Sequence, residues 1–104
     1  MSTLDAGALS DFVDGAARQV RGGDRVLVVV RIGDDVYVLD DRCSHEEFSL
    51  SDGEVDAEAR EIECERHGSM FRLVDGEPTS LPATKPVRHY DARVVDGRVI
   101  VEVA

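Results

Sequence analysis

A chain of 104 residues is long enough for one domain with a modest core and too short to add a separate substrate domain, so the whole span 1–104 is read as a single unit. With 22 acidic against 12 basic side chains the net charge is −10, which argues against nucleic acid and against an anionic membrane surface, because little here could displace counterions from phosphates. Tryptophan is absent and aromatics reach only 5%, so the core must come from Val, Leu, Ile and Ala, a thin core of the kind that a metal centre can staple.

Residues 1–15 are mixed and polar, with turn chemistry at Ser10-Asp11 and Asp14-Gly15. Arg25 to Ile32 is rich in β-branched residues, Gly33-Asp34-Asp35 turns the chain, and Val36 to Leu39 completes a predicted hairpin over 25–39. Residues 40–86 carry little periodicity and many turn residues. Short strands are predicted at 61–63 and 70–74, and Asp56 to Glu61 offers one helical turn. At the C-terminal end Ala92 to Val95 meets Arg98 to Val103 across Asp96-Gly97, the two-residue signal of a type I′ turn. In that last strand Val99, Val101 and Val103 share one face and Arg98 and Glu102 the other. The class is all-β, a small sandwich or barrel with an inserted loop-rich segment at about 40–86.

No run approaches the ~20 apolar residues of a membrane span. The first residues lack the basic and apolar regions of a secretion signal, so a cytoplasmic location is expected, with cysteines reduced or metal-bound. Both cysteines and two of the three histidines lie in the irregular segment, as Cys43-Ser44-His45, then 18 residues, then Cys64-Glu65-Arg66-His67. Each half puts a soft thiolate and an imidazole on one short loop, and two such loops at neighbouring hairpin tips would bring two sulfurs and two nitrogens together. A Rieske-type [2Fe–2S] core takes that donor set. With two thiolates and two neutral imidazoles the oxidised site is neutral, so adding an electron costs less than at an all-thiolate site.

The same residues admit other readings. A tetrahedral zinc site uses the same ligand types, although zinc fingers place both cysteines first, whereas here each loop holds one of each. A Cys43–Cys64 disulfide with incidental histidines and a catalytic Cys–His pair are further readings; the latter needs an orienting group and a pocket that no motif names. A structural zinc module or a metal-free adaptor would be redox-silent.

The stretch Cys43-Ser44-His45, Leu50 to Val55, Ile62 to Phe71, Gly76-Glu77-Pro78 and Leu81-Pro82-Ala83 resembles the cluster-binding part of Rieske ferredoxins, the electron carriers of bacterial aromatic-ring dioxygenases. The resemblance covers nearly the whole chain from about residue 16. It implies one [2Fe–2S] cluster, with Cys43 and Cys64 on the buried iron and His45 and His67 on the outer iron, whose imidazole edges form the electron port. It also implies a one-electron carrier between a reductase and a terminal oxygenase, with no substrate chemistry of its own and usually monomeric. Leu81-Pro82-Ala83 is similar to the loop that covers the cluster. Ser69 to Leu73 and Ser80 to Thr84 are also similar to Rieske ferredoxins found beside iron–sulfur assembly machinery in actinobacteria, which leaves a cluster-assembly role as an alternative.

Relative to respiratory Rieske proteins, Phe48 and Arg66 replace an extra cysteine pair. Ser69 keeps one sulfur-directed hydroxyl, and Phe71 lacks the other, which points to a low potential. Residues 40–65 hold 11 of the 22 acidic side chains and only two arginines, an expected rim for basic docking surfaces on the redox partners. His89 is expected on a strand surface, and Tyr37 and Tyr90 as packing residues with wet hydroxyls.

Overall fold

The computed structural model describes residues 2–22, 24–42, 49–64, 68–81 and 84–103. In chain order the strands are β1 (Thr3–Ala8), β2 (Ala16–Gly22), β3 (Arg25–Ile32), β4 (Asp35–Asp40), β5 (Val55–Asp56), β6 (Glu61–Cys64), β7 (Ser69–Arg72), β8 (His89–Tyr90), β9 (Ala92–Val95) and β10 (Arg98–Glu102). Two 3₁₀ turns, Leu9–Asp11 and Leu50–Asp52, are the helical elements among the described residues. None is long and apolar enough to cross a membrane. The strands form three antiparallel sheets, ordered β1-β10-β9, β2-β3-β4-β8 and β5-β6-β7.

The centre of the molecule is β3. Leu27, Val28, Val29 and Val30 are all fully buried, and alternation sends them to opposite sides. Val28 and Val30, with Leu39 of β4, pack against Leu50, Ile62, Cys64, Phe71, Leu73 and Val87. Leu27 and Val29, with Val38, pack against Phe12, Tyr90, Val99 and Val101. The four-stranded sheet is therefore a middle layer covered on both faces, which is why its central strand reads as an unbroken apolar run. The all-β class stands, a small β-sandwich to which the inserted segment adds the β5-β6-β7 sheet as a further layer.

Both predicted hairpins form. Asp96 and Gly97 sit at φ 50° and 76°, both positive as a type I′ turn requires. Val99 and Val101 enter the core while Arg98 lies outside, paired with Asp5 of β1. Two of the longer strands are not signalled by periodicity: β1, whose register slips between Asp5 and Gly7, and β2, whose residues are half-buried or exposed. The helical turn expected over 56–61 is instead a β-hairpin turn. Asp56 Oδ1 accepts a hydrogen bond from Ala59 N at 3.0 Å, and Arg60 takes φ 57°, a left-handed conformation that stops a helix and turns the chain into β6.

The tyrosine hydroxyls are bonded to side chains rather than simply wet. Arg60 donates to Tyr37 Oη at 2.6 Å. Tyr90 Oη donates to Asp40 Oδ1 at 2.6 Å and accepts from Arg25 at 3.0 Å, while Arg25 and Arg88 lie over its ring at 5.7 and 4.9 Å. Burial, then the bond to Asp40, raises the Tyr90 phenol above its ordinary value of 10.0. The folded state thus holds a proton that the unfolded chain gives up at lower pH. Stability from this group is complete below about pH 10 and falls as pH rises through the raised value. Urea titrations from pH 7 to 11 are expected to show that alkaline loss, and Tyr90→Phe to flatten it while costing about 1–2 kcal/mol at neutral pH.

Candidate metal centre

Cys64 ends β6, is 2% exposed, and stands opposite Ser69 at the loop end of the β6–β7 hairpin. Gly68 N donates to the Cys64 carbonyl at 3.0 Å, and Gly68 takes φ 73°, a left-handed conformation that a side chain would strain. The hairpin therefore closes on a short loop with a sulfur at its root. His67, in that loop, lies outside the described residues, as do Cys43 and His45.

The loop that carries Cys43 and His45 has equally firm roots. Arg42 and Ser49 form an isolated antiparallel bridge, and Leu50 N donates to the Asp41 carbonyl just inside it. The chain then runs through the Leu50–Asp52 turn to Gly53, which lies directly against β6. A Cβ on Gly53 would come within 1.6 Å of the Glu63 carbonyl oxygen. Glu63 N in turn donates to Glu54 O at 2.9 Å. Leu50, Ile62 and Cys64 share one core, so the roots of both cysteine-bearing loops are packed as one block.

The third segment is fastened to the other side of the hairpin. Thr79 N donates to Met70 O at 2.8 Å, and Met70 N donates to Ser80 Oγ at 2.9 Å. Leu81 follows at 77% exposure, while Pro82 and Ala83 lie outside the described residues. Ser69 is 1% exposed and Phe71 fully buried, side by side on the inward face of β7. His89 is an exposed strand residue opposite Leu39, as expected.

The acidic rim needs one correction. Asp52, Glu54, Asp56 and Glu58 are exposed, but Asp41 is 2% exposed and turned inward, and Asp40 is engaged by Tyr90. Asp41 was counted with the rim by composition. Strand alternation carries the better signal: Val38 and Leu39 point to opposite layers, so Asp41 follows Leu39 inward.

The donor set fits a [2Fe–2S] centre with mixed ligation. One buried sulfur already sits at a loop root, and each loop supplies one cysteine and one histidine.

The Rieske [2Fe-2S] domain family matches residues 2–91. The chain is 36% identical over 97 residues to the anthranilate 1,2-dioxygenase ferredoxin subunit of Burkholderia cepacia, covering 93% of this chain and 88% of that protein. Its fold superposes on the ferredoxin of carbazole 1,9a-dioxygenase from Nocardioides aromaticivorans IC177 with a TM-score of 0.96 and 34% identity, covering all of both chains. A complex of reduced oxygenase and oxidized ferredoxin in carbazole 1,9a-dioxygenase holds a chain that matches at a TM-score of 0.87 and 39% identity, over 95% of this chain and 91% of that one. By fold, by the paired Cys/His boxes and by these matches, the chain belongs to the Rieske [2Fe–2S] family and is a ferredoxin, a one-electron carrier built around one Rieske-type cluster rather than a catalyst.

Proposed function

We propose that Cys43, His45, Cys64 and His67 hold the cluster, the cysteines on the inner iron and the histidines on the outer one, and that the protein carries electrons from a reductase to a terminal oxygenase. The observation that carries the ligand set is the buried Cys64 at the root of a loop packed as one block with the root of the Cys43 loop. The oxygenase acceptor is supported by the similar ferredoxin solved with its oxygenase. The cluster, when bound, takes up and gives back one electron.

The chain's own residues set the conditions for that exchange. The segment at about 40–86 forms the cluster-binding unit, with Leu81-Pro82-Ala83 as its cover. Asp52, Glu54, Asp56 and Glu58 lie exposed on the stretch between the two ligand loops and draw in partners whose docking faces are basic. The protein acts as a cytoplasmic monomer that meets each partner briefly. Phe71 brings no hydroxyl to the site and Ser69 can bring one, so the reduced, more negative state receives less hydrogen-bond support than in respiratory relatives. The potential accordingly falls toward the low end of the Rieske span, about −150 mV.

Stopped-flow reduction by a purified ferredoxin reductase, repeated from 20 to 500 mM salt, tests the steering. The rate is expected to fall by roughly tenfold or more as the exposed carboxylates are screened. A salt-independent rate would remove the acidic face from the account. Potentiometric titration of the same sample checks the potential, and a midpoint well above 0 mV would contradict the low-potential assignment.

A further inference from the structure

Asp41 is one of two buried polar residues among those described, the other being Ser69. Burying a carboxylate is costly unless its oxygens are matched by donors. Here Oδ1 accepts from Ser51 N at 2.7 Å, and Oδ2 accepts from Gln19 Nε2 at 2.6 Å and from Ser51 Oγ at 3.1 Å. The backbone of the same residue is tied as well. Its N–H donates to Val26 O at 3.1 Å, and its carbonyl accepts from Leu50 N. One residue thus joins β2, the start of β3 and the 3₁₀ turn that leads to β5.

The placement matters more than the number of bonds. Asp41 is the last residue before the Arg42–Ser49 bridge, and Cys43 is two residues on. The side chain reaches across the base of the loop and holds Ser51, on the far side of the bridge, against Gln19 of the middle sheet. Spreading the two arms of the loop root, Asp41 and Ser51, apart must break these bonds. An apolar residue here would leave the Ser51 N–H without its acceptor, and a lysine or arginine would present donors to donors.

We propose that Asp41 is a positioning residue for the cluster: through Ser51 and Gln19 it staples the root of the loop that bears Cys43 and His45, so that these ligands are pre-arranged rather than ordered by the metal. The proposal rests on the ligand set given above. Preorganised ligands release metal slowly because a detached ligand stays close to its site.

The test uses the wild-type holoprotein beside Asp41→Ala, Asp41→Asn and Gln19→Ala. Two quantities are read: the rate of visible bleaching under excess iron chelator, and the line shape of the dithionite-reduced electron paramagnetic resonance signal. Asp41→Ala is expected to bleach about tenfold faster or more, the scale of lost supporting contacts at metal sites, and to broaden the resonance as ligand geometry scatters. Asp41→Asn is expected to stay within about threefold of wild type, because its oxygen still accepts from Ser51 N and the Gln19 amide can turn over to accept from its NH₂. Should Asp41→Ala not yield folded protein, Gln19→Ala replaces it. That change, at an exposed strand position, removes a single bond and is expected to give the same broadening with a smaller rise in rate.

Wild-type bleaching and line shape in the alanine variants would overturn the staple, as would equal loss in the asparagine and alanine variants at position 41. A wild-type protein that is colourless and silent in resonance would instead overturn the ligand set, and the two failures cannot be confused.

Discussion

Cys64→Ser is expected to yield a protein with less than about a tenth of the wild-type iron and visible absorbance, and with no Rieske resonance after reduction. A serine hydroxyl is a hard donor that stays protonated near neutral pH, so it supplies neither the charge nor the softness that an iron–sulfur core requires. Cys64 is also 2% exposed in a core with Ile62 and Phe71, where the cysteine packs as a small apolar side chain and a serine is the more polar substitute. The layer on the other side of the middle sheet, built on Val99, Val101 and Phe12, does not touch this position and should keep its far-ultraviolet signature. Iron analysis and the visible spectrum of freshly purified protein give the answer. Wild-type loading in the variant would exclude Cys64 from the ligand set.

Gly53→Ala should be nearly as damaging, for a purely steric reason. At φ −85° and ψ 170° the backbone is extended and any residue can adopt it. The obstacle is the neighbour: the new methyl would lie 1.6 Å from Glu63 O and 2.8 Å from Glu63 C, both backbone atoms of the strand that ends in Cys64. Either the Leu50–Asp52 turn or β6 must move, and each carries the root of a ligand loop. We expect a loss of about 3 kcal/mol or more, the upper range for forced overpacking, together with faster iron release. Gly97→Ala is the matched control. Its added methyl meets nothing within 4 Å, so only the φ of 76° resists it, at about 1 kcal/mol. Urea midpoints of the two variants should therefore separate clearly. If they coincide, close approach between the turn and β6 is not what requires Gly53.

These contrasts also mark what residue patterns disclose. The β3–β4 and β9–β10 hairpins are legible because β-branched runs flank strong turn signals, and local sterics alone favour them. The proposed ligand set rests on the sequence itself, where cysteines occur nowhere outside those two boxes. By contrast β1 is held by a partner remote in sequence, and β2, although its partner β3 follows it directly in the chain, carries no apolar alternation. β1 adds to β10 across a register slip and an Arg98–Asp5 pair, and β2 presents Arg18, Gln19 and Arg21 where an alternating apolar face would normally announce a strand. Ala57, Glu58 and Ala59 favour a helix locally, but pairing of β5 with β6 wins, because it buries Ile62 beneath the middle sheet. The third layer is hidden for a related reason: the run from Leu27 to Val30 signals burial on two faces without saying what lies on either.

Chain entry and exit at the layer proposed to bear the cluster are neighbours. Leu39 pairs with His89 and Asp40 N donates to Arg88 O at 2.8 Å, so everything from residue 41 to residue 88 departs from and returns to one spot on the middle sheet. The two crossing points are a single strand spacing apart, roughly 5 Å. A cassette cut there can be exchanged for that of another carrier without altering the distance the host framework must span. Partner choice and redox tuning can thus diverge by wholesale replacement while the supporting scaffold is inherited intact.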